Sequence, residues 1–342
     1  MLFCNTSITD NGAEVNLETI TGTGEILMDI SPRGKVRPWA KHKKNTKKLV
    51  ELFEKAREID ETVLSDSRLR SLSQCADVVT FAQNADGMRK LKSANFCRVR
   101  VCPMCNWRRS LKLFSQVSAV TDAILAEKKA RFIFLTLTVR NVEGHELRAA
   151  IDNMNRAWSY ITSKHRTFAP AKMLKKNLLG YMKAEEITYN EHENTFHPHI
   201  HAILEVKSSY FAGRGYLTKK AWTELWRLAL GVDYDPVLDV RTIKNSTAKA
   251  VAEVAKYPVK LDKVLEIEKK EVAALALIQL YRAIFKRRLV TFGGDFRDYK
   301  RRLALDDVEN GDLVHTETEN KTFNAVAQVL FKYQASVGAY IC

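Results

Sequence analysis

Three histidines alternate in HPHIH, residues 197–201, in a chain that has eight. In an extended strand, residues two apart face the same side, so His197, His199 and His201 share a face. Ile200, Ala202 and Leu204 take the opposite face and can serve as core. Three imidazoles in a row are poor core material unless each is paired. Two or three of them could instead converge on one metal ion. Satisfied or exposed histidines are the competing reading. A carboxylate would complete the set, and KAEEITYN offers Glu185 and Glu186. Their parity differs, so only one can share the histidine face, and parity alone does not say which. An N,N,O set leaves coordination positions open. That suits Mn²⁺ or Mg²⁺ acting on a phosphate better than a closed structural zinc.

A phosphate polarised by a metal still needs a nucleophile. EVAKY, residues 253–257, supplies a candidate in Tyr257. Glu253 lies four residues earlier and shares a helical face with it. A tyrosyl oxygen can attack phosphorus and hold a cut strand covalently. The carboxylate could later activate water, and Lys256 and Lys260 could ease the charge that develops on phosphate. A helix-end packing role for Tyr257 and ordinary surface pairs for the charged residues are the plainer alternatives.

CRVRVCPMCNWRR, residues 97–109, brings Cys97, Cys102 and Cys105 together, with Cys75 upstream. A C-x-x-C pair is a common turn for zinc thiolates. Cys75 is the expected fourth ligand, with His42 or solvent as substitutes. Redox C-P-M-C chemistry and free buried thiols are the rivals. Arg98, Arg100, Arg108 and Arg109 surround the cluster and could meet phosphate, which would position DNA without specifying its sequence.

The elements around these groups follow from periodicity. Apolar spacing predicts helices over 45–65, 107–128, 145–168, 217–230 (closed by Gly231) and 246–257 (Ser246 as cap). Segments rich in β-branched and aromatic residues predict strands over 131–139, 180–190, 197–206 and 236–244. NEHENT turns the second strand back into the third. Residues 265–304 read as mainly helical, broken by a turn-like GGD at 293–295, and residues 1–33 as a loose segment. The expected fold class is α+β: a central, mainly antiparallel sheet with helices on one face, preceded by a small cysteine-rich zinc module. The expected divisions are 1–68, a basic extension with a helix; 69–110, the zinc module; 111–303, the catalytic domain; and 304–342, a C-terminal extension.

Lys and Arg outnumber Asp and Glu by 55 to 40, a net charge of +15, which favours an anionic partner such as nucleic acid. GKVRPWAKHKKNTKK, residues 34–48, concentrates the excess. It reads as a solvated mobile arm, with Lys43 and Lys44 as DNA contacts. MLFCNTSITD lacks the pattern of a signal peptide, and the longest apolar run, VAALALI, is too short to span a bilayer. The expectation is a cytoplasmic protein with no disulfide framework and no membrane partner.

Three blocks resemble the replication initiators of small bacterial rolling-circle plasmids, within the superfamily of His-hydrophobic-His nucleases. FLTLTVRN, 134–141, looks like the first motif; HPHIHAILEV, 197–206, the metal motif; and EVAKYPVK, 253–260, the tyrosine motif. The stretch NFCRVRVCPMCNWRRSL, 95–111, and GGDFRDYKRRL, 293–303, resemble the group as well. The resemblance implies metal ligation by His199 and His201, with His197 at a position that often precedes the pair, and it selects Glu186 over Glu185. It implies Tyr257 as the nicking residue, Glu253 as a termination residue, and Lys256 and Lys260 as basic neighbours.

The implied activity is origin-specific nicking and strand joining through a 5′-phosphotyrosyl intermediate. A divalent metal serves the active site, and a structural Zn²⁺ supports the cysteine module. Double-strand origin DNA and single-stranded nick-site DNA are the implied partners, with room for a host helicase. A relaxase or single-tyrosine transposase of the same superfamily is one alternative; in relaxases the tyrosine usually precedes the histidines. A non-catalytic zinc-containing DNA-binding regulator is the other.

Overall fold

A computed structural model describes residues 6–10, 13–31, 34–162, 169–211, 215–243, 248–255, 261–316 and 323–342, with the side chains of 6–18, 248 and 249 left out. In chain order the elements are β1 (Thr6–Asp10), β2 (Ala13–Ile20), α1 (Trp39–Ile59), α2 (Asp66–Ser73), β3 (Val78–Asn84), β4 (Arg89–Ala94), α3 (Pro103–Glu127), β5 (Ala130–Thr138), α4 (Leu147–Thr162), α5 (Ala169–Asn177), β6 (Leu178–Asn190), β7 (Thr195–Lys207), α6 (Lys219–Leu230), β8 (Leu238–Ile243), α7 (Ala248–Val254), α8 (Asp262–Glu266), α9 (Lys270–Ile284), β9 (Val290–Gly294), α10 (Asp295–Arg302), β10 (Ala325–Gln334) and β11 (Ala339–Ile341). The chain forms two compact units, residues 1–108 with 312–342, and residues 109–311.

In the first unit, a sheet runs β1-β2-β10-β3-β4, with β11 on β10. Strand β10 is parallel to β2 and antiparallel to β3. Residues 1–33, expected to be loose, instead supply β1 and β2 among their described residues. Their polar composition masked the pairing, because strands gain their ladder from partners distant in sequence. The basic stretch 34–48, expected to be a mobile arm, carries the first turns of α1, with Trp39, Lys43 and Thr46 buried. Pro38 precedes the helix, where its missing N–H costs nothing.

The second unit is built on an antiparallel sheet in the order β8-β5-β7-β6-β9. Ile133, Leu135, Leu137, Ile200, Ala202 and Leu204 project from one face onto α4, α5 and α6, including Trp158, Trp222 and Trp226. Phe132, Phe134, Met182, Ala184 and Ile203 project from the other face onto Leu113, Val117, Val120 and Ile124 of α3, Val251 and Val254 of α7, and Phe296 and Tyr299 of α10. The α+β class with an antiparallel sheet is as expected, but helices cover both faces rather than one. The central strands are apolar on both sides over half their length, so both sides need cover.

Local signals account for several boundaries. Thr218 caps α6 by accepting from the Ala221 N–H, and Gly231 ends it at φ 69°, a left-handed turn that glycine adopts without a Cβ penalty. The GGD stretch, read as a turn within a helical region, is instead the end of strand β9 running into α10. A Cβ on Gly294 would stand 2.1 Å from the Leu179 carbonyl oxygen, so glycine is needed for this close approach of β9 to β6. Residues 163–168, and Ser246 as a helix cap, lie outside the described residues.

Candidate metal centre and cysteine cluster

Strands β6 and β7 decide the question that parity left open. Their register sets Glu186 opposite His199, Ala184 opposite His201 and Glu185 opposite Ile200. Glu186 therefore shares the histidine face, while Glu185 points into the opposite layer. There Glu185 meets the Lys183 ammonium at 2.7 Å, and Lys183 also donates to the side-chain oxygen Oδ1 of Asn155 at 2.6 Å. Burial raises the Glu185 carboxyl above the usual range, and Lys183 works against that shift.

One ligand atom each from Glu186, His199 and His201 lies within 4.8 Å of the others. His199 Nε2 stands 3.6 Å from one Glu186 oxygen, and His201 Nε2 stands 3.4 Å from the other. The remaining ring nitrogens are engaged. His199 Nδ1 donates to the His197 carbonyl at 3.2 Å, and His201 Nδ1 meets the Thr136 hydroxyl at 3.1 Å. Such outer contacts orient metal-binding imidazoles. Two Nε2 atoms converging on a carboxylate, with each Nδ1 held elsewhere, make a donor set that fits a divalent cation. Glu186 and His199 are buried, so a bound ion would be only partly hydrated.

His197 lies on the same face, its ring 5.3 Å from that of His199. Its Nδ1 meets Asn141 Oδ1 at 2.9 Å, and it stands outside the three-residue ligand group. Burial, reinforced by His199, lowers its pKa. Thr136 and Asn141 had no assigned part in the sequence reading, although both belong to FLTLTVRN. Strand alternation, which puts Thr136 and Thr138 on one face, was the signal that could have found Thr136.

Glu253 is half-buried on α7, the helix whose Val251 and Val254 join Ala255 in the core on the histidine side of the sheet. Lys256, Tyr257 and Lys260 lie outside the described residues.

In the first unit, Cys75, Cys97, Cys102 and Cys105 are all buried, and all are free thiols. Their sulfurs are grouped within 4.8 Å. Three of the pairs, 75–105, 97–105 and 75–102, measure 3.7 Å. A tetrahedral zinc with Zn–S bonds of about 2.3 Å has sulfur–sulfur edges near ~3.8 Å. The cluster could therefore hold zinc. The Cys97 N–H points to Cys75 Sγ at 3.4 Å and the Arg98 N–H to Cys105 Sγ at 3.3 Å, the latter helped by a φ of 59° at Arg98. Cys75 completes the four sulfurs. His42, the substitute ligand, instead stacks on Trp107 with centroids 4.9 Å apart, and burial lowers its pKa to about 4.

Three residues expected to contact DNA are interior. Lys43 donates to the Ser73 and Cys75 carbonyls at 3.1 and 2.8 Å and pairs with Asp77. It supports the loop that carries Cys75. Arg108 donates to the carbonyls of Leu313 and Val314 and lies over the rings of Trp39 and Trp107. Arg109 donates to the Glu309 carbonyl. A cation can be buried this way because several acceptors replace its hydration. Lys44 and Arg98 are exposed, and Arg100 is half-buried.

A family model described as Replication protein matches residues 88–341. The chain is 38% identical over 322 residues to "Protein rep" of Streptococcus pneumoniae serotype 2, covering 92% of this chain and 95% of that one. It is 34% identical over 336 residues to "Protein rep" of Bacillus amyloliquefaciens, covering 92% and 97%. It is 35% identical over 322 residues to "Protein rep" of Lactiplantibacillus plantarum, covering 90% and 96%. No solved structure matches the chain. Among the described residues, no helix is long and apolar enough to cross a membrane.

Proposed function

The chain belongs to the replication protein family, as a plasmid replication initiator, and we propose that it starts rolling-circle replication by nicking its origin with Tyr257. The observation that carries this reading is the convergence of Glu186, His199 and His201 on one face of the sheet. A divalent cation such as Mn²⁺ or Mg²⁺ held by these three residues would polarise a scissile phosphate. Glu186 would bring the negative charge that favours a cation there, and a set of only three protein ligands would leave room for phosphate oxygens.

The Tyr257 phenol oxygen attacks phosphorus. A phosphotyrosyl bond forms to the 5′ side, the bond to the 3′ oxygen breaks, and the freed 3′ hydroxyl primes synthesis. Lys256 and Lys260 offset the charge gathering on the phosphate. Strand joining is the reverse exchange, with a 3′ hydroxyl displacing the tyrosine. Glu253 takes a proton from water to hydrolyse the last phosphotyrosyl bond. The net charge of +15 supports binding to origin DNA, through the exposed Lys44 and Arg98 among other residues.

The test uses 3′-labelled single-stranded oligonucleotides tiled across the DNA that encodes the chain, incubated with protein and Mn²⁺. Wild type should give a labelled band that survives denaturation, and Tyr257→Phe should give none while still shifting the oligonucleotide in a native gel. A band of equal yield from Tyr257→Phe, or a gel shift with no adduct from wild type, would overturn the proposal.

A further inference from the structure

The block FLTLTVRN faces the histidine strand, and its chemistry is not used in the reaction above. Strand β5 pairs with β7 so that Thr136 lies opposite His201 and Thr138 opposite His199. Asn141 follows just beyond the end of β5. The Nδ1 atoms of all three imidazoles have partners. His197 Nδ1 meets Asn141 Oδ1 at 2.9 Å, His199 Nδ1 meets the His197 carbonyl at 3.2 Å, and His201 Nδ1 meets Thr136 Oγ1 at 3.1 Å.

The Asn141 orientation is fixed by its other contacts. Its Nδ2 donates to a Glu193 carboxylate oxygen at 3.0 Å and to Thr195 Oγ1 at 3.2 Å, leaving Oδ1 as the acceptor toward His197. A carbonyl oxygen and an amide oxygen can only accept, so His197 and His199 carry their protons on Nδ1 when neutral. His201 has a hydroxyl partner, which can accept or donate. If its Nε2 is to offer a lone pair beside Glu186, Thr136 must accept.

We propose that Thr136 and Asn141 are positioning residues that hold His201 and His197 in the Nδ1–H tautomer. Together with the His197 carbonyl, they leave the Nε2 lone pairs of His199 and His201 facing Glu186. Thr136 thereby prepares His201 as a ligand. Asn141 anchors the residue whose carbonyl prepares His199. The metal consequence rests on the reading under Proposed function, whereas the Nδ1 contacts that would set the tautomer are present without metal.

The two are tested separately. Long-range ¹H–¹⁵N correlation spectra of the full chain are recorded without metal at about pH 8, where an ordinary imidazole is neutral. Wild type should show the Nδ1–H pattern at His197, His199 and His201. Thr136→Val should convert His201 to the Nε2–H form or to a mixture, Thr136→Ser should restore wild type, and Asn141→Leu should move His197. An Nδ1–H signature at His201 that is unchanged in Thr136→Val overturns the proposal.

Calorimetric titration with Mn²⁺ alone is the second measurement. Thr136→Val should weaken binding roughly 10-fold or more, with Ser again restoring it. Affinity within twofold of wild type overturns the positioning role. Wild type that fails to bind Mn²⁺ overturns the metal reading instead and leaves the tautomer result to decide this one.

Discussion

Glu186 and His199 face each other directly across β6 and β7, with a carboxylate oxygen 3.6 Å from His199 Nε2. Glu185, one residue earlier, faces the other layer and holds Lys183. Adjacent, chemically identical residues therefore take opposite faces of the sheet. Glu186→Gln is expected to weaken Mn²⁺ binding by at least about tenfold, as are His199→Ala and His201→Ala, while Glu185→Gln spares it. Calorimetry with Mn²⁺ checks the contrast, and a loss of equal size in Glu185→Gln would reject the assignment.

The Lys183–Glu185 pair should be structural. Both side chains are only 3% exposed, so truncating one partner leaves an uncompensated charge. Lys183→Met is expected to cost about 3–5 kcal/mol, and adding Glu185→Leu should recover much of that. Urea unfolding of the two variants measures it. Because a slip of one residue would exchange Glu185 for Glu186 on the histidine face, the pair also resists that slip.

Glu253 offers a separation of steps. In the proposed mechanism the first nick uses the tyrosine and release of the enzyme uses water, so replacement by Ala is expected to preserve the nick more than the release. Nicking of supercoiled origin plasmid and decay of the isolated adduct are the two assays. Parallel loss in both would remove Glu253 from the termination role.

Zinc should be a folding ligand of the first unit. Elemental analysis is expected to find one zinc per chain, lost on Cys97→Ser or Cys102→Ser. The thermal midpoint of that unit should then fall by roughly 10 °C or more. A chain that keeps its midpoint after complete removal of zinc would show that the thiols merely pack.

Basic residues in this chain should divide by burial. Lys44→Ala is expected to reduce the slope of log affinity for duplex DNA against log salt by about 0.9. Arg108→Ala should leave that slope alone and lower stability, because its guanidinium is bound to the carbonyls of Leu313 and Val314. Fluorescence anisotropy over a salt series, with melting curves alongside, distinguishes them.

Much of the second unit was legible from the amino-acid order. The strand at Ala130–Thr138, the hairpin of Leu178–Asn190 with Thr195–Lys207, and the helix Lys219–Leu230 lie within three residues of where periodicity put them, because alternation and capping are local signals. Alternation also set His197, His199 and His201 on one face, and cysteine spacing grouped Cys97, Cys102 and Cys105. The folded chain decided what depends on partners distant in sequence. Register chose Glu186 as the neighbour of His199, β10 and β11 joined a sheet with β2 and β3, and burial withdrew Lys43, Arg108 and Arg109 from the surface. A charge cluster reads the same in sequence whether its donors meet water or carbonyl oxygens. Only the hydrogen bonds of Arg108 to Leu313 and Val314, and of Arg109 to Glu309, distinguish the two.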